Sequence, residues 1–411
     1  MATPASKPLA GIRVLDASHV VSGPVCCWLL AALGAEVIRV EPPGGDHTWR
    51  TLPFVGPEGV HRGRRRPRDI AISPLRRGRG KRSIVLDLKN EAGREIFRRL
   101  ADVSDVLVEN ARPGAMERLG LDYASLEPRN PRLVYCTITG YGHDGPYRDR
   151  PSMDLVVQAV SGIMAKTGFP DGPPTKVGAT IGDQVPALFA ALGIVAALRQ
   201  RERDGRGQRV DVAMLDSLLA LLWDEPIDDF EDQGLPERVG NGDPRGAPLD
   251  VFRSADGYVA LVLTQDAQWQ ELAREMGRAE LATRWPDYAS RIAARDAVNE
   301  SVAEWCRTLA SDDAVSRLLA MGIPAGPVRS PYAARRDPHV AHRGALLPLR
   351  HPDLAEPTPY LGPALPIRLS RADATEAPAE PLGASTESVL RTLLGLGDAE
   401  IARLRAEGAL G

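Results

Sequence analysis

The sequence predicts an α/β protein with a large domain built on parallel strands and a smaller α+β domain. From Ile12 to Tyr141, short apolar runs alternate with amphipathic segments of helical period. From residue 247 onward, a β-hairpin pattern followed by helices replaces this alternation. The chain has 411 residues, which is more than one hydrophobic core usually holds. Two domains are therefore expected.

The first part of the chain has the order of a Rossmann-like domain. Strands are predicted at 12–16, 36–42, 83–88, 105–110 and 133–141, with helices near 24–33 and 91–101. Helices between successive strands serve as crossover connections, which are typical of a parallel sheet.

The second part changes pattern after a short strand and helix at 204–222. Residues 247–263 predict a β-hairpin with Asp256 and Gly257 at the turn, followed by helices near 266–276 and 295–310. Residues 322–328 predict a turn that returns the chain to the first domain, and residues 385–408 predict a helix. The expected domains are 1–224, 225–325 and a C-terminal segment, 326–411, that rejoins the large domain.

Composition and charge exclude several classes of protein. The net charge of −3 disfavours a general nucleic-acid binder, and four cysteines without metal-type spacing favour a reducing, cytoplasmic compartment. We find no signal peptide and no run of 18 apolar residues, and therefore predict no membrane span. His339 and His342 are three residues apart without a further ligand, so we predict no metal site.

Residues 168–183, GFPDGPPTKVGATIGD, are the most informative segment. Glycines and prolines lead to Asp183, and apolar residues then recur at helical spacing to about residue 199. We expect Asp183 at the N-cap of a buried helix. The residue alone favours simple capping. The adjoining glycine-rich backbone could also stabilise an oxyanion, which makes Asp183 a candidate nucleophile.

A dinucleotide-dependent oxidoreductase is the obvious alternative for a Rossmann-like domain, with Glu41 as the ribose ligand. After the first strand, however, the chain reads ASHVVSGP and lacks the G-x-G-x-x-G turn that lets a pyrophosphate approach. We therefore disfavour this function.

Several segments together resemble the class III CoA-transferases, the family of formyl-CoA transferase and carnitine CoA-transferase, with α-methylacyl-CoA racemase as a sister branch. The resemblance covers nearly the whole chain. Its motifs are PLAGIRVLDASHVVSGP, GDHTWR, GKRSIVLDL, DVLVENARPGAMERLGLDY, TGYGHDGPY, TGFPDGPPTKVGATIGD, DGRGQRVDVAMLDS, GIPAGPV and LLGLGDAEIARLRAEGAL.

The resemblance implies a homodimer of two interlocked ring-like protomers, with CoA and acyl-CoA as substrates and no permanently bound cofactor. It places Asp183 at the catalytic aspartate, which forms a mixed anhydride and then an aspartyl-CoA thioester. It also implies CoA contacts along the chain, at Val20, Val21, Ser22, Leu86, Leu88, Lys89, Asn110, Arg118 and Tyr141. Each of these contact residues has a structural alternative: the leucines as core, Arg118 as a solvated cation, Tyr141 as an anchor.

Two departures from the family pattern bear on function. The racemase branch has a histidine where this chain has Met153, between Ser152 and Asp154, and methionine cannot transfer a proton. This favours a transferase over a racemase or isomerase, while a catalytically silent CoA-binding homologue stays open. The glycine run of formyl-CoA transferase is replaced by residues 240–246, which makes oxalate a doubtful acceptor. These residues form either an active-site lid, with Arg245 as a carboxylate ligand, or an interdomain linker.

An arginine-rich segment, residues 62–82, opposes the charge of the whole chain. It contains ten basic residues, with Asp69 as its single acidic residue. It is either a surface that attracts anionic CoA or a solvated insertion. It contains no aromatic residue for base stacking, which disfavours a nucleic-acid site.

Overall fold

The computed structural model describes residues 7–372 and 377–411. The strands, numbered along the chain, are β1 (Arg13–Asp16), β2 (Glu36–Glu41), β3 (Phe54–Gly56), β4 (Gly59–His61), β5 (Ile70–Ala71), β6 (Lys81–Val85), β7 (Val106–Glu109), β8 (Val134–Thr139), β9 (Arg209–Ala213), β10 (Leu249–Arg253), β11 (Tyr258–Val262), β12 (Ala325–Pro327), β13 (Leu346–Pro348) and β14 (Leu361–Pro363).

The helices, numbered in the same way, are α1 (Ser22–Ala32), α2 (Ile72–Arg77), α3 (Glu91–Asp102), α4 (Ala115–Leu119), α5 (Tyr123–Leu126), α6 (Asp154–Val160), α7 (Ile163–Lys166), α8 (Ile181–Asp204), α9 (Met214–Leu222), α10 (Ile227–Asp232), α11 (Asp266–Glu275), α12 (Glu280–Arg284), α13 (Tyr288–Ala293), α14 (Arg295–Arg307), α15 (Ser311–Ala320), α16 (Pro331–Ala334), α17 (Pro338–Arg343), α18 (Thr386–Leu394) and α19 (Asp398–Ala406). A 3₁₀ turn spans His47–Arg50.

The chain forms two compact units. The first contains the residues up to Gly162, Gly178–Asp224 and the chain from Ala341 onward; the second contains Ile163–Val177 and Glu225–Val340. Residues 163–177 and 326–340 thus lie in the second unit, whereas the sequence placed them in the large domain and the C-terminal segment. Backbone pairing accounts for this, because the Gly240 N–H donates to the Gly168 carbonyl and the Val328 N–H to the Tyr258 carbonyl.

A six-stranded sheet in the order β6-β2-β1-β7-β8-β9 forms the centre of the first unit, and every neighbouring pair is parallel. The predicted α/β class is therefore confirmed. The C-terminal segment extends the edge at β6, where the Ser385 N–H donates to the Ser83 carbonyl and the Asp87 N–H to the Ala409 carbonyl. Parallel strands align their carboxyl ends, where ligands bind in such sheets.

The second unit contains an antiparallel sheet in the order β10-β11-β12. The predicted hairpin is present, with Asp256 and Gly257 between its strands, and helices α11 to α15 supply most of a separate hydrophobic core. The residues predicted as a returning turn include β12, the third strand of this sheet.

Helix α8 differs from its prediction in its exposed face. The residues that pack inward are mostly small, including Ala187, Ala190 and Ala197, and the helix packs against α1, α9, β8 and β9. The large apolar residues that the sequence assigned to a buried face are exposed in this chain, namely Leu188, Phe189, Leu192 and Val195. Helical period shows that a helix has an apolar face, but it does not show which side packs on the sheet. Helix α8 packs with its small residues inward because these allow the helix to approach the sheet closely.

The length and composition of α8 also suffice for a membrane span, with a mean hydropathy of 1.7 in its most apolar window. No membrane span was predicted from the sequence. Core helices of globular domains meet the same criterion, and α8 packs on the central sheet of the first unit.

Candidate active site

A cavity of about 320 Å³ opens at the carboxyl ends of β7 and β8, within the first unit. It lies in the size range of small-molecule sites. Its wall contains five of the residues predicted for the site, namely Val20, Val21, Ser22, Asn110 and Asp183. The structure thus brings together side chains that are up to 163 positions apart in sequence.

Asp183 lies in the first turn of α8 rather than at its N-cap. The helix begins at Ile181 and Thr180 is the N-cap, so Asp183 is the third helical residue. Its backbone N–H donates to the Thr180 carbonyl. In the part of the chain that the structure describes, the Asp183 carboxylate accepts no hydrogen bond. The prediction of a capping aspartate is therefore wrong, and the carboxylate lies at the cavity wall without that structural role.

Asp154 interacts with this helix terminus instead. Its Oδ1 accepts a hydrogen bond of 2.8 Å from the Gly182 N–H, and Gln158 Nε2 donates to both of its oxygens at 3.0 Å. Burial and, to a smaller extent, the negative charge of Asp154 raise the pKa of Asp183 to about 6, while Arg77 acts to lower it. A carboxylate with this pKa is more basic than an ordinary aspartate yet mostly ionised at neutral pH.

The loop before α1 forms another part of the cavity wall and is held by side chains from several other segments. The Asn110 side chain accepts from the His19 N–H at 2.7 Å and donates to the His19 carbonyl at 2.9 Å. Val20 has a φ of +64°, which is an outlier for a β-branched residue. Its N–H donates to Asp46 at 3.0 Å and its carbonyl accepts from Arg77 at 2.7 Å.

Buried charges fix the base of this loop. Asp16 bonds Lys81 at 2.8 Å, and Arg39 bonds Glu41 at 3.0 Å and Asp46 at 3.4 Å. Burial raises the pKa of Asp46, but Arg39 and hydrogen bonds from Thr48 and the Val20 N–H outweigh it, so the net direction is downward. Glu41, considered above as a ribose ligand, is buried in this network.

Three arginines that were not predicted as site residues also line the cavity. Arg112 is exposed and follows Asn110, while Arg148 and Arg150 follow β8. The Arg150 guanidinium lies 3.5 Å from the centre of the Tyr147 ring, which in turn contacts Tyr141 edge-on. The guanidinium groups give this wall a positive charge suited to phosphate groups.

The remaining predicted CoA contacts do not line the cavity. Leu86 and Leu88 belong to the main core of the first unit, with Leu86 fully buried. Lys89 and Arg118 are exposed, and Tyr141 contacts Tyr147. The structure therefore favours the core alternative for both leucines, and a CoA contact by Lys89, Arg118 or Tyr141 stays a prediction.

The structure also shows the surroundings of Met153 and Arg245, which the sequence indicated as departures from the family pattern. Met153 and Ser152 line the same cavity as Asp183, with no protonatable group on Met153. In the second unit, the Arg245 guanidinium bonds Asp243 and Glu225, so its charge is already paired with two carboxylates. Among the described residues, no group of three or more His, Cys, Asp or Glu is placed to hold a metal ion.

Comparisons with known proteins show the family to which this chain belongs and agree with its fold. The model of CoA-transferase family III matches residues 9–386. The succinyl-CoA:mesaconate CoA-transferase of Haloarcula hispanica is 39% identical over 368 residues, covering 88% of this chain and 90% of that protein. The formyl-CoA:oxalate CoA-transferase of Streptomyces avermitilis is 37% identical over 431 residues, covering 98% of this chain and all of that protein.

The fold is shared with a CAIB/BAIF family protein from Brucella suis. The two chains superpose with a TM-score of 0.81 at 34% sequence identity, covering 94% of this chain and all of the other. The protein belongs to CoA-transferase family III and is an acyl-CoA:carboxylate CoA-transferase.

Proposed function

We propose that this enzyme moves CoA between two carboxylic acids through covalent intermediates on Asp183. The observation that carries the proposal is the position of the Asp183 carboxylate. It accepts no hydrogen bond from the described residues, and it lines the same cavity as the loop before α1 and three arginines. A nucleophile needs an accessible lone pair, and a pKa raised to about 6 increases its basicity.

The reaction proceeds in four acyl transfers. An Asp183 oxygen attacks the thioester carbonyl of the donor, a C–O bond forms, the C–S bond breaks, and CoA leaves as a thiolate. The thiolate attacks the Asp183 carboxyl carbon and releases the donor acid, leaving an aspartyl-CoA thioester. The acceptor carboxylate then attacks the aspartyl carbonyl and displaces CoA thiolate, which forms a second anhydride. The thiolate attacks the acceptor carbonyl of this anhydride, the C–O bond to Asp183 breaks, and the Asp183 carboxylate is regenerated. No net proton is consumed, and an activated carbonyl, in a thioester or an anhydride, is present at every stage.

The first turn of α1 supports the negative charge that develops in each step. Val21 and Ser22, at the start of this helix, line the cavity, and a helix N-terminus carries partial positive charge. We assign the CoA phosphates to the side of Arg112, Arg148 and Arg150, because guanidinium groups bind phosphate with paired hydrogen bonds.

We propose dicarboxylic acids as the substrate class. The relatives described above carry names that include succinyl-CoA, mesaconate and oxalate, which are dicarboxylic acids or their thioesters. The donor and acceptor of this enzyme are best found with a panel of such acids.

A homodimer is proposed from an exposed apolar surface on the first unit. This surface lies on α6, α8, α9 and the residue that follows α9, and it contains Leu155, Val156, Val160, Leu188, Phe189, Leu192, Val195, Leu221 and Trp223. Contiguous apolar surface of this kind marks a protein interface, and a second copy of the chain covers it in the predicted interlocked dimer. We propose a cytoplasmic location, because all four cysteines are free and buried.

The test of the mechanism is the mass of the protein after incubation with acyl-CoA donors. We expect an adduct on the peptide containing Asp183, converted by hydroxylamine to a hydroxamate and absent from Asp183→Ala. Asp204→Asn, at the other end of α8, is the matched control and should keep the adduct. An unmodified Asp183 with every donor, while CoA still binds, would leave a silent CoA-binding protein as the better account.

A racemase or isomerase is tested in the same experiment. Met153 replaces the second base that α-proton exchange requires. We expect 2-methylacyl-CoA to gain no deuterium from D₂O. Incorporation catalysed by the wild type and lost in Asp183→Ala would favour the isomerase instead.

A further inference from the structure

Asp154 and Gln158 form a hydrogen-bonded pair that joins α6 to the start of α8. They are four positions apart on α6, which places both side chains on one face of that helix. Gln158 Nε2 donates to both oxygens of the Asp154 carboxylate at 3.0 Å. Asp154 Oδ1 also accepts the Gly182 N–H at 2.8 Å. Gly182 directly precedes Asp183, so the pair contacts the turn that carries the proposed nucleophile.

The start of α8 is capped from another helix. Thr180 is the N-cap residue, but its side chain makes no capping hydrogen bond to the first turn. The Gly182 N–H would be unpaired in an isolated helix, because the first N–H groups of a helix lack an intrahelical acceptor. Asp154 supplies from α6 the oxygen that an N-cap side chain ordinarily supplies. The position of this first turn therefore depends on where α6 holds the Asp154 carboxylate.

Close packing restricts the position of this carboxylate. A Cβ atom at Gly182 would lie 3.0 Å from both the Asp154 carbonyl oxygen and Asp154 Oδ1, which is closer than ordinary van der Waals contact. The lack of a side chain at Gly182 thus lets the two helices approach. Gln158 is fully buried, and its Nε2 lies 3.5 Å from the Ala179 carbonyl oxygen as well. Since all three contacts of Nε2 are acceptors, the surroundings determine the orientation of this amide.

We propose that Gln158 is a positioning residue for CoA transfer: it holds Asp154 against the Gly182 N–H and thereby fixes the first turn of α8, which presents Asp183 to the cavity. The inference rests on the proposed function, in which Asp183 is the nucleophile. The Gln158 side chain is fully buried, so it acts through Asp154 rather than by contact with the substrate. Placement matters because a shift of about 1 Å in a reacting group can slow a reaction by about a hundredfold.

The first test replaces Gln158 with leucine, which has a similar volume but no N–H group. At pH 8, well above the Asp183 pKa of about 6, a changed ionisation of Asp183 does not contribute. With saturating succinyl-CoA, we expect Gln158→Leu to form the Asp183 adduct about tenfold to a hundredfold more slowly, with an unchanged KM. Hydrogen exchange of the peptide containing Gly182 should become about fivefold faster, because the cap is held less firmly. Gln200→Leu is the control, since it removes a matched but exposed hydrogen bond to Asp204 at the other end of α8.

The second test reverses the two groups of the pair. Gln158→Glu places a second carboxylate against Asp154 and should slow adduct formation more than Gln158→Leu does, because like charges repel. Adding Asp154→Asn restores an amide and a carboxylate in exchanged positions. The amide at position 154 can then donate to the carboxylate at position 158, while its oxygen accepts the Gly182 N–H. We expect this double variant to form the adduct at least about tenfold faster than Gln158→Glu alone.

Three results would overturn the inference. The first is a Gln158→Leu protein that forms the adduct at the wild-type rate. The second is equal exchange of the Gly182 peptide in Gln158→Leu and the wild type, because the first turn would then be held without Gln158. The third is a folded double variant that stays as slow as Gln158→Glu, and this result counts even where Gln158→Leu fails to fold. Failure of the proposed function is distinct: the wild type would then form no Asp183 adduct from any donor, while the exchange measurement would still report on the contact.

Discussion

Replacing the ionised Asp183 with a neutral isostere should stabilise the fold while abolishing transfer. Burial and the charge of Asp154 raise the Asp183 pKa from its ordinary value of 3.8 to about 6. The folded protein therefore binds this proton more tightly than the unfolded chain, and ionisation reduces stability as pH rises between these values. At 1.36 kcal/mol per pH unit, the penalty is about 1.5 kcal/mol at pH 5 and reaches about 3 kcal/mol at pH 8.

Asp183→Asn removes this penalty, so its advantage over the wild type should grow from pH 5 to pH 8. For a unit of this size, about 3 kcal/mol raises the melting temperature by about 5 °C. Thermal unfolding by circular dichroism at both pH values measures the effect, with Asp204→Asn as the control. A gain that is equal at pH 5 and pH 8, or a loss of stability at pH 8, would refute the assignment of a buried, destabilising charge to Asp183.

Three further predictions address the site and the assembly. Asp154→Asn removes a charge that raises the Asp183 pKa, so the acidic limb of the kcat/KM profile should move to lower pH; an unchanged profile would exclude electrostatic coupling of the two carboxylates. Arg112→Gln should raise the KM for acyl-CoA by about tenfold and weaken its dependence on salt, because one phosphate contact is lost. Leu192→Glu should reduce the mass measured by light scattering from twice the chain mass to 44.3 kDa, whereas Val60→Glu, an exposed apolar position on β4, should not.

The sequence predicted the main strands of the large unit, their parallel arrangement and a helix start near Asp183, because these depend on local patterns. Apolar runs separated by helical segments specify a parallel sheet, and a glycine-rich approach specifies an exposed helix start. The exact helix start was missed by three residues, because the Asp154 carboxylate bonds the Gly182 N–H from 28 positions earlier in the chain. The Ser152, Met153 and Asp154 segment already stood out, and proximity to Asp183 was the missing information.

The contacts of the ten basic residues at 62–82 could not be told apart from the sequence. In the structure, most of these residues have surface or structural surroundings. Arg68 pairs with Asp353, Arg66 with Glu58, and Lys81 is fully buried against Asp16. The arginine-rich segment is therefore not one uniform surface for CoA, and the fold distinguishes its members by their contacts.

Two destabilising features of the site, the backbone of Val20 and the charge of Asp183, line one cavity. Val20 holds a left-handed backbone that costs on the order of 1–2 kcal/mol, and ionised Asp183 adds a penalty of its own. Both persist because neighbouring groups fix them: Asp46 and Arg77 bond the two polar backbone atoms of Val20, and the Asp183 backbone belongs to a 24-residue helix.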